Sequence, residues 1–259
     1  MRIGGIVKWT LLSLAAAILV AAGWLYVQAG RVPENYRPAQ LSLSQRRQAA
    51  SEFANRLLEF SNLAQSPQAF TWTVTERQIN EYLASLDEIS DVRHGPNSGE
   101  ARRLLARAAL ADPAVALGDG IVTLLARQTE YNKVLSADLA IRQDADGALR
   151  VRLAAVRVGR LEVPRELVDT QIDALREKLT AAAARAAGQE QGASDLGGLR
   201  PEDVGRLVSA VLAGIDSGPI PNELKLPIGR KKVRIARVEV RPEGLTLHVE
   251  PVARAGREP

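Results

Sequence analysis

The chain has 259 residues, with 34 Lys and Arg against 30 Asp and Glu, two His and no Cys. The missing thiols exclude disulfide staples and thiolate metal centres. A net charge of +4, part of it carried by Arg2 and Lys8, is too slight for a nucleic-acid footprint, so no nucleic-acid partner is expected. The length is enough to bury a sizeable core, and one large domain is favoured over two small ones.

Residues 9–30, WTLLSLAAAILVAAGWLYVQAG, carry no charge and lie between Lys8 and Arg31. At about 1.5 Å per residue they predict a helix of roughly 33 Å, close to the ~30 Å hydrocarbon thickness of a bilayer. Trp9, Trp24 and Tyr26 sit near its ends as interfacial aromatics do. The competing reading is a secretory signal cleaved after Val27-Gln28-Ala29, although the run exceeds an ordinary signal core. Residues 1–30 are thus expected to be a single-pass anchor in the inner or cytoplasmic membrane. Arg2 and Lys8 hold the N-terminus inside, and the C-terminal domain lies in the periplasm or outside the cell.

Residues 31–39, with RVPENYRP, predict a short semi-stiff linker that keeps the next domain near the membrane. The extracytoplasmic domain is expected over 40–252, with 253–259 as a disordered tail. Ser42 or Ser44 caps a first helix whose stripe is Ala49, Phe53, Leu57, Phe60 and Ala64. Phe70, Trp72 and Val74 alternate with threonines as a strand. Thr75 and Gln78 then form a capping box for a helix bearing Ile79, Tyr82, Leu83 and Leu86. Residues 87–100 read as a loop, followed by a short helix to about Ala111.

Four antiparallel strands follow at about 113–117, 120–129, 133–143 and 148–158, joined by short turns. Leu135, Ala137, Leu139 and Ile141, with Leu149, Val151 and Leu153, form one apolar face; Ser136, Asp138 and Arg142 mark a wet one. The apolar phase slips near Ala154-Ala155 and again near Ala236, which predicts two β-bulges and a bent sheet. Between these lie a long helix from about Pro164 to Ala187, a Gly- and Gln-rich loop over 188–198 and a second helix over about 201–215. A closing hairpin through Pro242-Glu243-Gly244 is expected to join the earlier sheet, because a lone hairpin is marginal. The expected class is α+β, a curved antiparallel sheet packed on long amphipathic helices.

TVTERQINEYLAS, the turn DADG and VRVGRLEVPRELV, placed behind one N-terminal apolar segment, resemble the YpmS-like family of membrane-anchored proteins. That family is similar in layout to tubular lipid-binding (SMP-like) domains. The resemblance covers most of residues 70–252, and Asn80, Gly159 and Pro164 are the matching positions. It implies a curved sheet and long helix around a groove for acyl chains. The insertion over 188–198 and the abundance of Ala and Arg depart from the pattern.

Asn80 reads as a backbone partner or a ligand contact, and Gly159 and Pro164 as turn and helix-start residues. No nucleophile elbow, zinc-protease helix, phosphate loop or dinucleotide loop is present. Asp144-Ala145-Asp146-Gly147 lacks the distal ligands of a calcium loop, and His94 and His248 stand apart. The chain therefore reads as a non-enzyme, with no catalytic residue, cofactor or metal.

Two functions remain. In the first, Leu135, Ala137, Leu139, Ile141, Leu149, Val151 and Leu153 face Val168, Ile172, Leu175, Leu179 and Ala183 across a lipid groove. Small side chains leave it open, unless the helices simply approach and fill it. Arg230, Lys231, Lys232 and Arg234 contact anionic headgroups or blunt an edge strand. In the second, the domain is a scaffold or adaptor for an envelope protein partner.

Overall fold

Local side-chain chemistry starts both helices where the sequence places them. In the computed structural model, which describes residues 20, 23–89, 105–106, 109–144, 147–167, 223–225 and 232–252, helix α1 spans Leu43–Gln65 and α2 spans Glu76–Ala84. Ser42 with Gln45, and Thr75 with Gln78, form reciprocal capping boxes that satisfy amide groups left over at each helix start. Ala49 and Ala64 are buried on the expected stripe of α1, and Phe53 meets Tyr82 of α2 edge to face with centroids 5.0 Å apart.

The strands form two antiparallel sheets, correcting the single sheet expected. One runs in the order β1 (Phe70–Val74), β9 (Gly244–Pro251), β8 (Lys232–Arg241), β7 (Glu223–Lys225). The other is a meander of β2 (Leu110–Gly118), β3 (Ile121–Gln128), β4 (Lys133–Gln143), β5 (Leu149–Val158) and β6 (Leu161–Glu162). The closing hairpin β8–β9 takes β1 as its partner, with Phe70 opposite Val249 and Val74 opposite Leu245. That pairing satisfies the hairpin's need for a third strand without using the meander. Phe60 of α1 covers the β1–β9 sheet through edge contacts with Phe70 and Trp72, beside buried Ala64, Val233 and Val249.

Both phase slips are bulges. Asp138 pairs with Ala155 and Leu139 with Leu153, leaving Ala154 extra; Ile235 pairs with Val249 and Arg237 with His248, leaving Ala236 extra. Strand β2 starts at Leu110, inside the helix expected to reach Ala111, and carries its own irregularity, with Asp112 at φ 48°. Pro113 explains this, since it lacks the amide a regular ladder needs.

The sheets meet at one end of the meander. The Gly120 amide donates to the Val240 carbonyl at 3.0 Å, and Gln143 Nε2 donates to the carbonyl of bulged Ala236 at 2.6 Å. Val115, Leu117 and Val240 form a buried cluster there, joined by Ile79 and Leu83 of α2.

Residues 31–39 pack against the meander as a strap. Tyr36 packs on Ala114, Ala116, Leu125 and Val134, and its hydroxyl donates to the Asp112 carbonyl at 2.9 Å. Arg160 donates through its backbone amide to Gln28 at 3.0 Å and through its guanidinium to Glu34 at 2.7 Å. Gly159, at φ 61°, lets this strap close in: an added Cβ would lie 2.5 Å from the Ala29 carbonyl oxygen.

Among the described residues no helix is long and apolar enough to cross a membrane. Of the expected anchor, residues 9–19, 21 and 22 lie outside them, while 23–30 are helical. The helices expected over about 164–187 and 201–215 lie outside except for 164–167, as does the tail 253–259.

Candidate functional site

Strand alternation brings the sheet half of the expected groove together. Across β3, β4 and β5, Leu124 stands opposite Ala137 and Ala137 opposite Val156; Leu139 pairs with Leu153 and Ile141 with Val151. Val151 and Leu153 are buried, and Ala137, Leu139, Ile141, Leu149 and Val156 pack around them while staying partly exposed. Leu135 extends the same face opposite Val158. Leu124, beside Ala137, remains 45% exposed, so this part of the face is incompletely covered. The opposing residues Val168, Ile172, Leu175, Leu179 and Ala183 lie outside the described residues.

The bulge shapes the edge of this face. Around Ala154 the chain turns away from β4, and a cleft of about 320 Å³ opens between Leu153–Val156 and Glu162–Arg165. Val163 closes one wall by donating its amide to Val156 at 2.8 Å, and Arg165 Nη1 donates to the Leu153 carbonyl at 3.0 Å. The cleft is lined by apolar side chains together with the Glu162 carboxylate and the Arg165 guanidinium. Glu162 and Arg165 escaped the sequence reading, although the phase slip at Ala154 already marked the place.

The reverse face is wet only in part: Arg142, Arg150 and Arg152 are exposed as expected, but the expectation fails at Ser136 and Asp138. Thr123, Ser136 and Asp138 are buried there. Thr123 Oγ1 donates to Asp138 Oδ1 at 2.9 Å and Arg157 Nη1 donates to Asp138 Oδ2 at 2.6 Å, so the buried charge is paired. Alternation distinguishes two faces but does not reveal that a strap covers the polar one. Burial raises the Tyr36 pKa above its usual value of 10.0, a shift opposed by a hydrogen bond from Arg127 and assisted by the charge of Asp112.

The remaining expected positions separate from the groove. Asn80 is buried and bonded to strand β2, Gly159 seats the strap, and His248 lies beside Thr71 and Glu239 on the outer face of the β1–β9 sheet. Of the cationic run, Arg230 and Lys231 lie outside the described residues, Lys232 begins β8, and Arg234 pairs with Glu250 at 2.7 Å. The turn after Gln143 is a hairpin, with Gly147 at φ 82° and the Asp144 amide donating to Ala148 at 2.9 Å. Comparison with family models, curated proteins and solved structures finds no match for the chain.

Proposed function

We propose that this is a single-pass membrane-anchored envelope protein whose extracytoplasmic domain holds lipid acyl chains against the apolar face of β3–β5. The observation that carries the reading is the partly exposed apolar surface around Ala137, bent at Ala154 and ending in the cleft beside Val156 and Val163. Apolar concavity with few polar groups at its margin suits an aliphatic ligand, which asks for burial rather than directed hydrogen bonds. The uncharged segment 9–30 and the likeness of TVTERQINEYLAS and VRVGRLEVPRELV to the YpmS-like family point the same way. In this reading the domain acts without covalent chemistry, and the cations at 230–234 are auxiliary headgroup contacts.

The test is native mass spectrometry of full-length protein extracted gently from its own membrane. The reading expects adducts with the masses of one or two lipids that persist under mild activation. Lipid-free protein that takes up no fluorescent phospholipid would contradict it and favour the scaffold, which the exposed Leu124 would then serve as part of a protein contact.

A further inference from the structure

We infer that the β3–β4 turn, residues 129–132, together with Lys133, rests on the lipid–water interface of the bilayer that holds the chain's own anchor. The inference depends on the anchor proposed above, and adds which end of the domain meets the membrane. Helical residues 23–30 are not free of the domain. Lys133 Nζ lies 4.7 Å from the Tyr26 ring centroid, the Arg160 amide bonds Gln28, and Gly159 admits the Ala29 carbonyl. The end of the anchor is thereby joined to the end of the meander formed by the β3–β4 and β5–β6 turns.

The turn itself is built for an interface. Tyr131 is 73% exposed, as is Tyr26, and Trp24 is 60% exposed. Tyr and Trp are the side chains that favour the headgroup level, one part apolar and one part wet. Tyr131 is held in place rather than dangling: its amide donates to Gln128 Oε1 at 2.7 Å, Asn132 adopts φ 50°, and the Thr129 amide bonds Ala109 at 2.8 Å. Charges here are mixed, since Arg160 pairs with Glu34 and Glu130 accepts from Gln128. The contact is therefore aromatic and positional, not an electrostatic grip on anionic lipid. The opposite end, where Asp119 is exposed in the β2–β3 turn, lies roughly 25 Å farther along β3.

Because the chain has no cysteine, Tyr131→Cys and Asp119→Cys each introduce a unique spin-label site in the full-length protein. The proteins are reconstituted in vesicles of phosphatidylcholine and phosphatidylglycerol and floated on a density gradient, and label accessibility to oxygen and to a water-soluble nickel chelate is compared. The expected result is co-flotation, with an oxygen-to-nickel ratio severalfold higher at 131 than at 119, little altered when phosphatidylglycerol is omitted. Co-flotation with equal, water-like ratios at both positions would overturn the contact while leaving the anchor standing. Failure to float would overturn the anchor and the contact together.

Discussion

Asn80 and Val115 exchange two hydrogen bonds, as neighbouring strands do: Asn80 Nδ2 donates to the Val115 carbonyl at 2.8 Å and the Val115 amide donates to Asn80 Oδ1 at 2.7 Å. One helical turn earlier, Glu76 Oε2 accepts the Leu117 amide at 2.7 Å. Helix α2 thus supplies the missing neighbour of β2, the edge strand of the meander, and blocks that edge from pairing with another chain.

Replacing Asn80 by Ala leaves a buried donor and a buried acceptor without partners, which should cost about 2–6 kcal/mol on the usual 1–3 per group. Asn80→Asp keeps the acceptor for the Val115 amide but sets a carboxylate against the Val115 carbonyl. Its urea midpoint should fall at neutral pH and recover partly near pH 4, as the carboxyl regains a proton to donate. A midpoint unchanged from the parent would show that the edge needs no cap.

Gly159→Ala should release the strap. At φ 61° a Cβ costs about 1–2 kcal/mol, and here it also collides with the Ala29 and Arg31 carbonyls. Limited trypsin digestion should then cut after Arg31 several times faster, while the meander stays resistant. Equal cleavage rates would mean that the strap is held by other contacts.

Gln143 Nε2 donates both to the Ala236 carbonyl and to the Gly147 carbonyl, the latter at 3.0 Å, tying the two sheets and a turn together. Gln143→Leu should lower stability by about 1–3 kcal/mol. If the sheets unfold as one unit, the urea transition stays single with its slope unchanged. Two separated transitions would show independent sheets.

Burial raises the pKa of both Tyr36 and Tyr82 above 10.0. Near neutrality both are protonated folded or unfolded, so they add no pH dependence. Once pH exceeds about 10 the unfolded chain loses these protons more readily, and stability should fall as pH rises through the folded-state values. Tyr36→Phe should flatten part of this alkaline loss in chemical denaturation at pH 9 to 11, and an unaltered slope would remove Tyr36 as a source.

Much of the fold was legible because its signals are local. The Thr75 and Gln78 capping pair placed the second helix start, a serine at 42 or 44 placed the first, and the parity change at Ala154 and Ala236 located two bulges, since an extra residue moves every later side chain to the opposite face. The union of β1 with β9 was not legible, because Phe70 and Val249 lie far apart in the chain and no local pattern encodes which strands meet. The strap was missed for a related reason. Proline and mixed charge make RVPENYRP look like a linker, and only Tyr36 hinted at burial. Ser136 and Asp138 looked solvent-facing by alternation, yet Tyr36 and its neighbours cover that side of the sheet. The shared apolar face of β4 and β5 was readable residue by residue; Glu162 and Arg165 at the cleft beside it were not, since their proximity to Leu153 depends on the bulge.

The direct test of the acyl-chain groove is Ala137→Phe in the full-length protein, measured for bound lipid by native mass spectrometry and for stability by urea unfolding. Ala137 lies between Leu124 and Val156 on the half-covered face, so a phenyl ring there takes the place of an acyl chain. The account predicts loss of most lipid adducts with stability unchanged or raised. Undiminished adducts, or an adduct-free parent protein with the variant destabilised by about 1–3 kcal/mol through overpacking, would contradict it.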